Sequence, residues 1–222
     1  MDADGFDVSK PYPFVARLFC ELMRPRLRLV RHAPTAATRA GMFPADEPLD
    51  DEAIREVSTA RATIGRCDQA LCSPCLRTRQ TADGLGLTAE IEADLAECDF
   101  GTWAGLSIED VKTRYAGQID AWLADPSSAP HGGEALTDVA ARVHRFLQGA
   151  SSLEGTTVAV THGGVIRVAI VLARAQPLEM VWRVNVEPLS ITELRFARGR
   201  WRRVEVDESG RGEIRNDALG TA

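Results

Sequence analysis

Apolar and polar residues alternate along this chain on two different periods. Leu27, Leu29 and Val30 form a short apolar run of strand character, closed by Pro34, which has no backbone donor to offer a sheet. Ala53, Ile54, Val57, Ala60 and Ile64 recur at helical spacing, which predicts an amphipathic helix over 50–64. Asp50, Asp51 and Glu52 suit its positive end. Residues 69–72 read as a buried strand ending at Ser73-Pro74, 76–84 as a helix stopped by Gly84 or Gly86, and 88–91 as a third strand. Helical segments follow around 108–115 and 118–123, then a loop marked by Pro126, Pro130 and Gly132-Gly133. Leu136, Val139, Ala140, Val143, Phe146 and Leu147 describe one face of a strong helix. A β-branched strand over 157–160, an apolar helix over 165–173 and a hairpin from 191–196 to 201–206 across Gly199 complete the series. Residues 12–23 suit a short apolar helix bounded by Pro13 and Pro25.

Strands that alternate with helices imply a mostly parallel sheet covered on both faces. The expected architecture is therefore an α/β three-layer sandwich. Residues 1–26 read as an N-terminal extension, 27–206 as the domain and 207–222 as a polar, mobile tail. At 222 residues and 45% hydrophobic, the chain can bury a core without disulfides or a structural metal. A net charge of −6 argues against a broad nucleic-acid surface. No apolar run reaches membrane-spanning length, and the first residues lack the basic region of a secretory signal. Five cysteines, an odd number, fit free thiols in a reducing compartment. The expectation is a cytoplasmic protein with no membrane and no nucleic-acid partner.

Four expected strand ends carry polar groups suited to chemistry. Arg31 and His32 follow the first, Arg77 opens the helix after the second, and Glu97 follows the third. His162 follows the fourth, with Gly163-Gly164 leading into a helix whose free N–H groups can face an anion. Ligands of open α/β sheets bind at this edge. Taken singly, each has a structural explanation: a turn cap for His32 or Glu97, a solvated helix position for Arg77, a satisfied core histidine for His162. Together they supply a nucleophile, phosphate clamps and a proton donor. Cys72 and Cys75 form a C-x-x-C at a strand–helix junction, the spacing of a redox pair or half a zinc site, but there is no second C-x-x-C. His131 lies in a loop where it could touch substrate, His144 reads as a surface residue, and Trp103, Trp122, Trp182 and Trp201 read as packing groups.

Four blocks carry a resemblance to a known family. LVRHAPT, SPCLRTRQTA, LAECDFGTWAG and VTHGGVIR, in that order, resemble the motifs of the histidine phosphatase superfamily, also called phosphoglycerate mutase-like; HGGE at 131–134 resembles a weaker family feature. The resemblance implies that His32 becomes phosphorylated, that Arg31 and Arg77 bind phosphate, and that His162 with the backbone at Gly163 supports the transferring group. It implies Glu97 as the acid that protonates the leaving oxygen, and neither metal nor cofactor. Ala33 stands where glycine is usual, Thr38 where asparagine often contacts phosphate, and Ala104 where glutamate is common. Thr38 is kept as a substrate-binding residue because a hydroxyl can still donate.

The leading expectation is a phosphomonoesterase that hydrolyses a small phosphorylated metabolite through phosphohistidine. The wording of RHAPT and HGGVIR is similar to that of α-ribazole phosphatase-type members, which suggests α-ribazole 5'-phosphate. Mutase-type phosphoryl transfer and non-enzymatic binding of a phospho-ligand are the alternatives. The oligomeric state is left open, a homodimer included.

Overall fold

The computed structural model describes residues 24–206 and 212–213. The helix expected over 12–23, and most of the expected tail, lie outside the described residues. Strand β1 (Arg26–Arg31) is followed by a four-residue helix α1 (Ala36–Arg39), then α2 (Asp51–Ala60), β2 (Gln69–Cys72), α3 (Leu76–Gly84) and β3 (Glu90–Ile91). After two short 3-10 turns come α4 (Ile108–Arg114), α5 (Gln118–Ala124) and α6 (Leu136–Ala150). Strand β4 (Thr156–Thr161), α7 (Gly163–Ala173), β5 (Ile191–Ala197) and β6 (Arg200–Arg203) close the main body. The six strands run in the order β3-β2-β4-β1-β5-β6. Pairings among β1 to β4 are parallel, whereas β5 and β6 add antiparallel at one side.

Each strand sends alternate residues to opposite faces, and the two faces bury different helices. Leu27, Leu29, Leu71 and Ala159 join the cluster with Val139, Val143, Phe146 and Leu147 of α6 and Ile166 and Ile170 of α7. Val30, Cys72, Val158 and Val160 turn the other way, onto Ala53 and Val57 of α2 and Ala82 of α3. Strand β4 is buried at all six positions because helices cover both its faces. Leu29→Ala, at a site 1% exposed, would cost roughly 2–5 kcal/mol in lost transfer and cavity. This is the expected three-layer sandwich.

Caps set several boundaries. Asp50 accepts a bond from Ala53 N at 2.7 Å and starts α2, while Ser107 and Asp110 form a reciprocal capping box on α4. Three details depart from the expected elements. The helix expected over 50–64 gives way at Arg61 to a 3-10 turn, which brings Ile64 into the core and its carbonyl to Arg28. The third strand spans only Glu90–Ile91, both exposed, as an edge strand with one neighbour. The second arm of the hairpin ends at Arg203. Glu205–Val206 (β7) instead pairs with Gly212–Glu213 (β8) as a separate ribbon.

A third, smaller cluster sits over the C-terminal edge of the sheet. Phe43, Trp103, Val111 and Ile119 form it, with Phe100, Tyr115 and Trp122 packed against them. It joins the loop after α1 to the segment carrying α4 and α5. The bridge between Met42 and Ser107, and the bond from Phe43 N to Leu106 O at 2.9 Å, tie the two together.

Candidate active site

Parallel pairing puts two motifs side by side. Arg31 lies opposite Thr161 in the β1–β4 register, and His32 N extends the ladder by donating to Thr161 O at 2.9 Å. His32 and His162 therefore meet just past the strand ends, with ring centroids 5.2 Å apart. His162 then caps α7 as its last extended residue.

The His32 ring has a fixed tautomer. Its Nδ1 lies 2.6 Å from Ala33 O, and a carbonyl only accepts, so Nδ1 carries the proton. That leaves the Nε2 lone pair uncommitted. Burial, and after it the Arg77 and Arg31 charges, hold the imidazole neutral, pushing its pKa down to about 3. Ala33 N donates to Thr81 Oγ1 at 3.1 Å, and that hydroxyl donates to Arg77 O at 2.7 Å, so the turn after His32 is fastened to α3. Thr81 belongs to the block that also carries Arg77.

His162 is engaged at both nitrogens. Arg77 Nη2 lies 3.2 Å from Nδ1 and can only donate, so Nε2 holds the proton and donates to Ser73 Oγ at 2.7 Å. Burial and the Arg77 charge hold this ring neutral as well. Ser73 was not among the expected site residues. Its signal is its place between β2 and Pro74, where a small hydroxyl faces the next strand end. Arg77, 1% exposed, also donates to Ala45 O and lies 3.8 Å from Glu47 Oε2.

Arg31 donates from Nη1 to Val186 O at 2.6 Å, while its buried Nε has no partner. The guanidinium lies against Gly163, whose added Cβ would meet Nε at 3.3 Å. Glu97 accepts from Cys98 N at 3.1 Å and, at the long distance of 3.5 Å, from Gly164 N. A Cβ on Gly164 would run into the Glu97 carboxylate, so glycine there is a condition of the close approach.

The loop bearing Glu97 is held from behind. Arg142, on α6, pairs with both carboxylate oxygens of Glu134 at 2.9 and 3.1 Å and donates to Asp94 O and Ala96 O. Glu134 also accepts from Asp99 N at 3.0 Å. Gly133 presses on the Asp99 carbonyl with no room for a side chain. HGGE thus shapes the acid-bearing loop from outside the cavity. Asp99, the obvious second carboxylate, accepts from Gly101 N at 2.8 Å and does not line the cavity.

These groups adjoin a cavity of about 440 Å³. Arg31, His32, Thr38, Glu97 and Gly163 are on its wall. Arg77 and His162 are not; they stand behind His32, each committed to the network just described. The Thr38 hydroxyl reaches Thr35 Oγ1 at 3.1 Å. Thr35 gives its own proton to Glu47 Oε1 at 2.9 Å, so Thr38 is the donor in that contact and turns lone pairs to the cavity. Arg167 also lines the wall, with a buried Nε lacking a partner; VTHGGVIR contains it, one helical turn beyond Gly163. Its charge acts on Arg31. Sequence reading passed it over because nothing distinguished it from a solvated helix arginine.

Other expected features take structural places. His131 is 1% exposed, packs on Trp103 with centroids 5.0 Å apart and accepts from Gly133 N; it does not line the cavity. Trp122 and Trp182 do line it, besides packing against each other. Cys72 and Cys75 are both free, and burial pushes the Cys72 thiol up, the opposite of an activated thiolate. Among the described residues, no group of three His, Cys, Asp or Glu side chains is placed to hold a metal ion. No described helix is long and apolar enough to cross a membrane.

Comparison with known proteins gives one family. The profile of the histidine phosphatase superfamily (branch 1) matches residues 27–209. An adenosylcobalamin/alpha-ribazole phosphatase of Salmonella typhimurium is 30% identical over 173 residues, 73% of this chain and 86% of its own. A glucosyl-3-phosphoglycerate phosphatase of Mycobacterium tuberculosis is 29% identical, over 64% of this chain and 71% of its own. The solved alpha-ribazole phosphatase from Shigella flexneri superposes with a TM-score of 0.71 at 26% identity, covering 79% of this chain and 93% of that one. The two histidines at adjoining strand ends, the arginines around them and the glutamate over the helix terminus thus occur in a chain that belongs to the histidine phosphatase superfamily.

Proposed function

We propose that this chain is a phosphomonoesterase working through a phosphohistidine at His32. The observation that carries the reading is the neutral His32 ring, with Nδ1–H given to Ala33 O and the Nε2 lone pair left free beside Arg31 on the cavity wall. In the first step Nε2 attacks phosphorus and the bond to the ester oxygen breaks. Arg31, on the wall, donates to the phosphoryl oxygens as a planar fork donor does, and Arg77, behind His32, adds positive charge to the site without touching them. Glu97 gives its proton to the departing alcohol. Water then attacks phosphorus, Glu97 takes back a proton, and inorganic phosphate leaves with His32 restored. His162, with its donors and acceptors engaged, positions Arg77 and Ser73 behind the nucleophile.

The relatives support a small phosphorylated substrate, and those called alpha-ribazole phosphatase support α-ribazole 5'-phosphate as the compound to try first. Enzyme quenched with alkaline detergent during turnover of labelled p-nitrophenyl phosphate should carry base-stable, acid-labile phosphate on His32. His32→Ala should lose both the label and turnover, by about 10³-fold or more. Phosphate found on a serine or cysteine instead would end this reading.

A further inference from the structure

We infer that the phosphate ester taken by this site has a leaving alcohol that carries an apolar ring and that the cavity discriminates against polyol phosphates that lack one. The inference rests on the phosphatase reading and adds the chemistry of the leaving group to it.

Beyond Glu97 the wall changes character. Phe43, Phe100, Trp122, Leu136, Val139 and Trp182 form it, from segments far apart in the chain. Apart from the Cys98 thiol and the indole N–H groups of Trp122 and Trp182, its polar side chains among the described residues are Arg31, the neutral His32, Thr38, Glu97 and Arg167, and the first four of these belong to the phosphate end. Among the described residues, no serine, asparagine, glutamine, aspartate or lysine lines it. A buried hydroxyl without a partner is costly, so a site that reads sugar hydroxyls needs such groups.

Backbone does not fill the gap on the α1 side. Gly41 N, Met42 N and Phe43 N are bonded to Thr38 O, Ala37 O and Leu106 O, and Phe43 O accepts from Gly105 N. The mouth is apolar too. Ile108 and Leu123, on α4 and α5, line it while 48% and 41% exposed, two of the few large hydrophobic side chains the described fold leaves in water. The aromatic rings meet edge to face, with Trp122 and Trp182 centroids 4.6 Å apart, so further ring edges and faces are available to a bound ring. A volume of about 440 Å³ leaves room well beyond a phosphate group.

Apolar contacts of this kind are made in the ground state and the transition state alike. They should act on KM more than on kcat. The test compares esters of primary alcohols with similar leaving tendency: 2-(2-naphthyl)ethyl phosphate, n-propyl phosphate and glucose 6-phosphate, assayed by phosphate release. The expected kcat/KM for the naphthylethyl ester exceeds that for glucose 6-phosphate by about 10- to 100-fold, chiefly through KM, with n-propyl phosphate between them. The rim variant Ile108→Thr/Leu123→Gln, at exposed positions where folding is insensitive, should shrink the ratio at least about 3-fold by raising KM for the naphthylethyl ester. Equal or better turnover of glucose 6-phosphate would overturn the inference and leave the phosphatase reading standing. No phosphate release from any ester, p-nitrophenyl phosphate included, would instead remove the reading beneath it.

Discussion

The inner end of the cavity is a network and the outer end is a wall. Around His32, polar groups of backbone and side chain are bound to one another in sequence: Ala33 N to Thr81 Oγ1, Thr81 Oγ1 to Arg77 O, Arg77 Nη2 to His162, His162 to Ser73. Around Trp122, rings of Phe43, Phe100, Trp103 and Trp182 touch without a single directional bond between them. In a network of buried polar groups each removal leaves a neighbour unsatisfied, which fixes geometry closely. An apolar wall tolerates exchange of one hydrophobic group for another of similar volume. The chemistry sits where geometry is fixed, and selectivity sits where it can drift.

The sharpest test of the inner end is Glu97. A sugar or alkyl alkoxide needs a proton to leave, whereas p-nitrophenolate leaves nearly unaided. Glu97→Ala should cut kcat for an alkyl phosphate by about 10²–10⁴-fold and for p-nitrophenyl phosphate far less. Single-turnover measurement, with formation of the phosphoenzyme limiting, makes the comparison valid. Equal losses on both esters would assign Glu97 to positioning at the α7 terminus, where it already accepts from Gly164 N.

The same network should make folding sensitive to acid. His32, with its pKa held at about 3 against an ordinary 6.5, binds no proton over a range where the unfolded chain does. Protons bound by the unfolded state pull the equilibrium that way, so stability is present above about pH 6.5 and is lost as pH falls toward 3. Each such histidine contributes a slope of about 1.4 kcal/mol per pH unit in that window. His162 acts in the same direction. Urea unfolding from pH 7.5 down to 4.5 should show the loss, and His32→Gln should lessen it, leaving the part due to His162. A stability that does not change through this window would mean that water or protons reach the inner end freely.

Arg167 stands between the two regions, a cation on the wall with no hydrogen-bond partner for its buried Nε. Arg167→Ala should raise KM about 10-fold with little change in kcat, because a long-range charge attracts the ester before and during reaction alike. A loss confined to kcat would move Arg167 into the inner network.

The two regions also differ in how far the chain announced them. Arg31-His32, Arg77 and His162 stand at the ends of strands or the starts of helices, and parallel register alone brings β1 and β4 ends together; Glu97 lies in the loop beyond the 3-10 turn Ala93–Leu95 that follows β3. Strand and helix periods therefore sufficed to place Arg31, His32, Arg77 and His162 on one edge, whereas Glu97 was legible only from its motif. Ser73 and Thr81 lay inside the same blocks and went unread because a small hydroxyl has no local signature until its partner is known. Phe43, Phe100, Trp122 and Trp182 come from connections with no shared period, so only the folded chain shows that they face one cavity. The sheet was legible for the same reason as the inner end. The short third strand and the broken second arm of the hairpin were not, since both depend on where a neighbouring strand stops.

The smallest effect is expected at Thr38, where the two regions touch. Resemblance makes it a phosphate contact, but the hydroxyl has one proton, and Thr35 Oγ1 receives it at 3.1 Å. Thr35 cannot return the favour, because its own proton is held by Glu47 Oε1 at 2.9 Å. Toward the cavity Thr38 presents lone pairs, which repel a phosphate oxygen. Thr38→Val keeps the shape and removes the hydroxyl. Thr35 Oγ1 would still accept from its own helix at Thr38 N, 3.2 Å away, so no buried acceptor is stranded. The variant should lose about 0.5–1.5 kcal/mol of stability and stay within about 3-fold of the parent in both kcat and KM. A rise in KM above about 10-fold would show that Thr38 turns its proton from Thr35 to phosphate on binding. The Thr35–Glu47 pair, 3.8 Å from Arg77 at its nearest oxygen, would then be a part of the inner network that moves.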